Sequence, residues 1–483
     1  MPDDVVNVRL ESNDFSCDDV QIYEIAGRES LGRLFEMSIG VVTTAVGGLD
    51  LATVEGASAT LVFSVDQQEA RRIHGMISVI DDFLDTQPET RSYRLCLVPR
   101  AHRLTLVRTQ EIFMDLSIPD IIKKKLELVG LGSEDVEFRL SGTYPTREFV
   151  VQYRESDLDF ISRLAEHEGI TFFFEHESGV DKIVFSDRND GFHVLPGHDV
   201  IPFRARGERR DIYRIESTTR VIPKAHVVHD YNYRIPLVDP TGSADAPSGF
   251  GGGFVEYGAH CKTPEEASQL ARVRAEETES KHRVFSLESD LCWIASSGLF
   301  TMEGHPRLGD TEFLITEVVH TGRFPVTLFG GNREIAYTNT FTAIEAQIPY
   351  RPARVTPKPR IHGVINGVIA HEVEGTETLF ARLDDQGRYL VRLMFDTSQP
   401  GERQVVSRRI RMAQPHSGAN YGHHFPLKPG IEVLVGFIDG DPDRPIILHT
   451  APNPITPSPV AQNSAPAHRI KTATGILIEM KDA

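Results

Sequence analysis

Asp439-Gly-Asp441-Pro-Asp443 sets three carboxylates at alternate positions, the spacing at which a calcium loop begins. An EF-hand also needs Gly at its sixth position and Glu at its twelfth, where this chain has Arg444 and Thr450. The run therefore reads as a turn, because Asp, Gly and Pro gather where the backbone must reverse. Glu166-His167-Glu168 places two carboxylates beside an imidazole, the material of acid–base chemistry. At helical spacing Glu166 and Glu168 face different ways, so a solvated surface is expected there. His423 and His424 could bind a metal with His416, but neighbours in a strand face opposite ways. No Cys or carboxylate stands at ligand spacing nearby. Gly249-Phe-Gly251-Gly-Gly253 lacks the Lys-Ser/Thr of a phosphate loop and reads as a flexible loop. Phe172-Phe173-Phe174 could stack bases, yet its surroundings are acidic and core packing is expected. No GxSxG, HExxH or cysteine-nucleophile pattern occurs. These residues make no positive case for an enzyme, and no cofactor or metal is expected.

The chain has 483 residues, enough for about three domains. Its four cysteines are far apart and form no CxxC pair, which fits a reducing compartment and excludes a zinc ribbon. Net charge is −18, a poor basis for general nucleic-acid binding. No apolar run is long enough to span a bilayer. The opening MPDDVVNVRL is not a Sec signal peptide, so any export is expected to use another route.

The expected architecture is mainly β with an α+β insertion. Residues 1–100 hold short alternating segments such as Val20–Ala26, Ala59–Val65 and Arg91–Val98, which suggest a first barrel. Residues 101–211 read as the insertion. Within it Ser117 and Asp120 have capping-box spacing, and so do Ser156 and Asp159. Leu158, Ile161, Leu164 and Ala165 fall on one helical stripe, and Gly169 is expected to end that helix in the left-handed region. A hairpin should follow, pairing Ile170–His176 with Lys182–Asp187. Residues 212–348 read as a second barrel segment with a loop at Pro236–Gly253 and a helix after Thr263. Residues 349–360 are a proline-rich linker. Residues 361–451 have the size and turn spacing of an OB barrel. Residues 452–483 form a proline-rich neck and a final lone strand, which cannot stand by itself in water.

Two stretches carry a family resemblance. One is Val151-Gln-Tyr-Arg-Glu-Ser156-Asp-Leu-Asp159 through Gly169 to His176. The other is Ile410-Arg-Met-Ala-Gln-Pro415-His416, continuing through Pro429-Gly430 and Gly440-Asp441-Pro442-Asp-Arg444-Pro to Ile447. Leu287–Gly322 fits as well. Together they resemble VgrG, the spike of type VI secretion systems, which is similar in turn to phage tail hub and spike proteins. The resemblance implies two hub barrels, an OB-fold barrel and the start of a trimeric β-helix needle. It implies a homotrimer in which Ile476, Ile478 and Met480 face the threefold axis. Arg444 would then be an ion-pair partner at the OB trimer contact, or else a surface turn residue. The implied partners are a hexameric tube protein, a PAAR-type tip protein, baseplate components and effector proteins. Nucleic acid and stable membrane insertion are not among them. Assembly in the bacterial cytoplasm, then secretion or delivery into a target cell, is implied too.

The chain departs from the family around Ala381–Asp396 and in having almost no needle. Either the chain is cut short or a partner supplies the tip, and a toxin-bearing or lysozyme-bearing version is not expected. Two other readings stand beside the spike. One is an OB-based module for oligosaccharide or nucleic acid, and the other is a phage baseplate hub with cell-wall hydrolase activity in residues 101–211.

Overall fold

Alternating side chains build the first sheet. Six strands (Val6–Glu11, Val20–Ser30, Glu36–Thr43, Ser58–Val65, Gln68–Phe83 and Arg91–Val98) pair in the order first, fourth, fifth, sixth, third, second. Their inward residues, among them Ile39, Leu61, Phe63, Ile73 and Leu95, form one buried core. The computed structural model describes residues 6–45, 47–84, 90–176, 178–195, 198–204, 211–326, 336–371, 379–397 and 409–481. It divides into two compact units. The first holds Met1–Leu106, Ile122–Tyr144 and Leu158–Pro357, and the second holds Val107–Ile121, Pro145–Asp157 and Lys358–Ala483.

In the first unit the sheet does not stop at its sixth strand. Val20–Ser30 pairs on its far side with Gly309–Arg323, from Glu24↔Arg323 to Ser30↔Glu317. Gly309–Arg323 leads to Ala336–Glu345, Arg283–Ser289 and Ile212–Thr219 on one side and to Gly298–His305 on the other. Val200–Pro202 lies parallel to Gly298–His305. The bridge Phe203↔Ile212 then returns the ring to its start. This second barrel encloses Phe285, Phe300, Phe313 and Phe341. The two expected hub barrels are thus present and share one continuous sheet.

Pro236–Gly253 is not a plain loop. Thr241–Asp245 and Gly251–Tyr257 flank Pro223–His229 in a three-stranded sheet. Glycine and aspartate hide a strand from propensity reasoning; here cross-strand pairing and a covering helix supply the order. That helix, Pro264–Glu279, begins on Thr263, whose side chain accepts the Glu266 N–H. It lies so close to the sheet that a Cβ on Gly242 would stand 2.2 Å from the Ser268 nitrogen. The proline-rich linker is likewise not a free spacer. Arg351 reaches Glu276 at 2.7 Å, and Arg354 reaches Glu256 at 2.8 Å.

The second unit is built on five strands: Arg409–Ile410, Tyr389–Leu393, Val364–Ile369, Glu432–Phe437 and Pro445–Thr450, paired in that order. The bridge Met412↔Ile447 closes them into a barrel. The turns at Gly387, Gly430 and Gly440 have positive φ, as their turn positions suggest. The expectation of a single insertion over 101–211 is corrected. Arg108–Phe113 and Val150–Ser156 pair with each other, and Phe149, Val151 and Tyr153 pack in one core with Ile369, Tyr389 and Val433 of the barrel. Chain order hid this, because the two strands lie more than two hundred residues before most of that core.

Candidate functional site

Four groups of residues were open to a functional role, and each is read from what surrounds it. The Asp439–Asp443 run forms a tight turn. Asp439 adopts φ 56°, and the Arg444 N–H donates to the Asp441 carbonyl at 2.9 Å. The carboxylates face a cation already in the chain: Lys358 Nζ lies 2.6 Å from Asp441 and 2.8 Å from Asp443. Asp443 also accepts the Val151 N–H at 2.7 Å. A calcium ion would have to displace the lysine. Arg444 also lies 3.7 Å from Asp441 in its own turn. Pro442 is buried beside it, whereas Pro415 is an exposed bend residue.

Glu166 and Glu168 do not make a solvated acid pair. Glu166 is 6% exposed and accepts the Val355 N–H, the Thr356 N–H and the Thr356 hydroxyl at 3.0, 2.9 and 2.8 Å. The expectation of a free surface there is corrected: the linker passes over the helix and needs an acceptor. That helix is Asp157–Glu168, directly after the strand ending at Ser156, with Asp159 exposed. Ile161, Leu164 and Ala165 are buried as the stripe required. Gly169 closes the helix with φ +75°, and a Cβ there would stand 2.5 Å from Val273.

The exposed histidines of the OB barrel divide as well. His416 and His423 rings lie 6.2 Å apart, centre to centre, while His424 stacks on Tyr389 at 6.5 Å.

One acid–base chain went unnoticed in the sequence. Glu29 accepts from Arg71 at 2.6 Å and from His320 Nε2 at 2.7 Å. His320 Nδ1 accepts the Tyr337 hydroxyl at 2.7 Å. Asn339 donates to Tyr337 at 3.3 Å and accepts the Ser289 hydroxyl at 2.7 Å. Burial alone would raise the Glu29 carboxyl, but Arg71 and His320 overcome it and hold the group well below the usual carboxylate range. Burial keeps His320 neutral in spite of Glu29, and pushes the Tyr337 phenol far up. A Tyr–His–Glu relay can move protons, but here His320 is fully buried and Glu29 is 5% exposed. The network links two neighbouring strands, Val20–Ser30 and Gly309–Arg323, one from each barrel. The signal was faint: Glu29 and His320 share the inward parity of Ile25 and Val318, where a polar residue needs a partner.

His176 gives this region a pH response. Its Nδ1 accepts the His74 N–H at 3.1 Å. Burial, then the Arg71 charge, push its pKa down to about 3. The folded value lies below the unfolded one near 6.5. Its contribution to stability is therefore complete above that value and is lost as pH falls toward the folded one. His176→Phe is expected to lessen the fall in urea midpoint between about pH 7 and about pH 4. Equal falls in both proteins would count against this.

The C-terminal hairpin is the last group. Ala467–Lys471 pairs antiparallel with Leu477–Lys481, so the expected lone strand is corrected to a two-stranded ribbon. Ile470 lies opposite Ile478, and His468 opposite Met480. Ile470, Ile476, Ile478 and Met480 are 49%, 69%, 57% and 62% exposed. The opposite face carries the Arg469–Glu479 ion pair. Nothing among the described residues covers the apolar face. The structure therefore does not gather the residues singled out from sequence into one site. Gly430, Asp441, Pro442 and Arg444 belong to the OB barrel and its turns, Asp159 and Gly169 to one helix of the first unit, and Ile476, Ile478 and Met480 to the hairpin.

The family described as phage tail baseplate hub (GPD) matches residues 28–325, more than half of the chain. The chain belongs to that hub family. The type VI secretion system/phage-baseplate injector OB domain matches residues 381–451, within the closed five-stranded barrel. Among curated relatives, the type VI secretion system spike protein VgrG1b of Pseudomonas aeruginosa is 28% identical over 450 residues. That alignment takes in 89% of this chain and 58% of VgrG1b, so this hub chain spans little more than half of such relatives. Among solved structures, the Escherichia coli c3393 protein, titled a type VI secretion component similar to T4 tail proteins gp27 and gp5, has a TM-score of 0.68 at 23% identity. The match covers 92% of this chain and all of that one. The lidless PdpA–VgrG complex gives a TM-score of 0.61 at 10% identity, covering 99% of this chain and 92% of that one. Both likenesses concern the fold.

Proposed function

We propose that the chain is the hub of a spike in a contractile injection machine and works as a homotrimer. One observation carries the reading most directly. The hairpin presents Ile470, Ile478 and Met480 to solvent on one face, and a lone two-stranded ribbon is at best marginal in water. Two further copies would cover that face and pair the ribbon edges. The fused barrels support the same reading, since two barrels from each of three chains give six around an axis, matching a hexameric tube. The relatives named spike proteins of type VI secretion point to the same machinery.

On this reading the work is mechanical: sheath contraction drives tube and spike through a target envelope, with a PAAR-type protein at the tip. Baseplate components hold the hub, and effector proteins travel with it. It is assembled in the bacterial cytoplasm and then secreted or delivered. No reaction is assigned to the chain: Glu29 and His320 are buried, and the acidic turn is occupied by lysine. Native mass spectrometry of the full chain tests the core claim. The expected mass is three times 53.9 kDa, and a single-chain mass at micromolar concentration overturns it.

A further inference from the structure

A cavity of about 640 Å³ opens in the first unit, within the size range of ligand sites. Its walls include the start of the Gln68–Phe83 strand, the end of the Thr171–Glu175 strand with His176, residues 193–195 with His198, and Trp293 with residues 295–298. The spike reading does not use it, and of the polar network between the barrels Arg71 reaches its wall.

Three observations define what it could hold. The first concerns charge. Each full charge lining the cavity already has a partner: Arg71 pairs with Glu29, Arg72 with Glu11 and Glu69, and Glu175 with Arg139 and His193. An anion or a cation would have to break a pair, so the favoured occupant is uncharged. The second is apolar surface. Trp293 and His198 stack at 3.8 Å and 5°, and Phe174, Leu195 and Ala295 line the same space. The third is an open backbone edge. His193–Val194 lies parallel to Gly298–Leu299, and the Leu195 N–H donates to the Leu299 carbonyl at 3.1 Å. Successive residues of a strand direct their polar groups to alternate sides. The N–H and C=O of Val194 therefore point away from the ladder, and Val194 lines the cavity. In the cavity wall, His74 and His176 each keep an Nε2 atom with no hydrogen-bond partner. His176 Nδ1 accepts, so its proton sits on Nε2, where it is a donor lacking an acceptor.

We infer that this cavity binds an extended, uncharged peptide segment of a partner protein, anchored by one aromatic side chain. The peptide adds one rung to the Val194 edge, and its aromatic ring fills the space beside Trp293. Main-chain bonds then supply affinity and the side-chain slot supplies selection.

Trp293 is the only tryptophan in the chain, so its emission reports on this cavity alone. The full chain is titrated with three probes: acetyl-Ala-Phe-Ala-amide, acetyl-Ala-Ala-Ala-amide and the trimer of N-acetylglucosamine. The expected result is a saturable emission change with the phenylalanine peptide and at least about tenfold weaker binding of the alanine peptide, since one buried aromatic ring is at stake. Val194→Pro removes the outward N–H but leaves the Leu195 bond. It is expected to weaken binding about tenfold, the loss of one ordinary hydrogen bond. Ala295→Leu fills the slot without touching the edge and is expected to abolish the change, which keeps the test decisive if the proline variant misfolds. Saturation by the sugar alone, equal curves for both peptides, or no change at millimolar peptide each overturn the inference.

Discussion

Glu29→Gln will lower the stability of the first unit by about 3–5 kcal/mol, because it leaves Arg71 charged and buried without its counter-ion. The Arg71 side chain is 9% exposed and its shortest bond, 2.6 Å, goes to Glu29. Its other guanidinium contact, the Ile294 carbonyl at 2.7 Å, carries no charge. A loss of that size is a large part of a typical domain stability of about 5–15 kcal/mol. Urea denaturation followed by intrinsic fluorescence measures it. The double change Glu29→Leu with Arg71→Met removes both charges together, and most of the loss should return. A single-variant loss below about 1 kcal/mol, the range of an exposed ion pair, would show that Arg71 finds water and that the network is not a sealed tie.

The second large effect belongs to the hairpin. Ile478→Asp with Met480→Asp should convert the proposed three-chain particle into single chains. Each buried Ile or Met side chain is worth about 1.5–3 kcal/mol, and both positions are uncovered in the single chain, at 57% and 62% exposure. Repeated over three copies, the loss is on the order of 10 kcal/mol per particle. Light scattering reads the mass, and circular dichroism should show the barrels unchanged. A variant that stays trimeric would place the contacts that hold the copies in the barrels and not in the ribbon.

Strand alternation made much of the fold legible. Arg91–Val98 stood at its full length in the pattern, and Gly169 marked its helix end, because side-chain parity and left-handed φ are local properties. The OB barrel was legible through turn glycines at suitable spacing. What stayed hidden depended on contacts distant in sequence. Thr241–Asp245 is a strand only because a neighbouring strand and a helix hold it. The Arg108–Phe113 and Val150–Ser156 pair joins a core assembled mostly from residues beyond 360. Glu166 looked solvated because the linker that covers it lies nearly 190 residues further along the chain. The polar tie between the barrels was hidden for the same reason: Glu29 and His320 are 291 residues apart.

The strapping of residues 351–356 has a consequence for load. Tension arriving along the chain from Lys358 meets the Glu166 bonds at Thr356 and Val355 first, then the Arg354 and Arg351 ion pairs. Only after these does it reach the end of the Ala336–Glu345 strand, which ladders between two neighbours. A strand pulled from its end opens like a zipper, one rung at a time, and needs little force. These anchorages take up the pull before that rung-by-rung opening can begin, so the barrel wall is shielded from peeling.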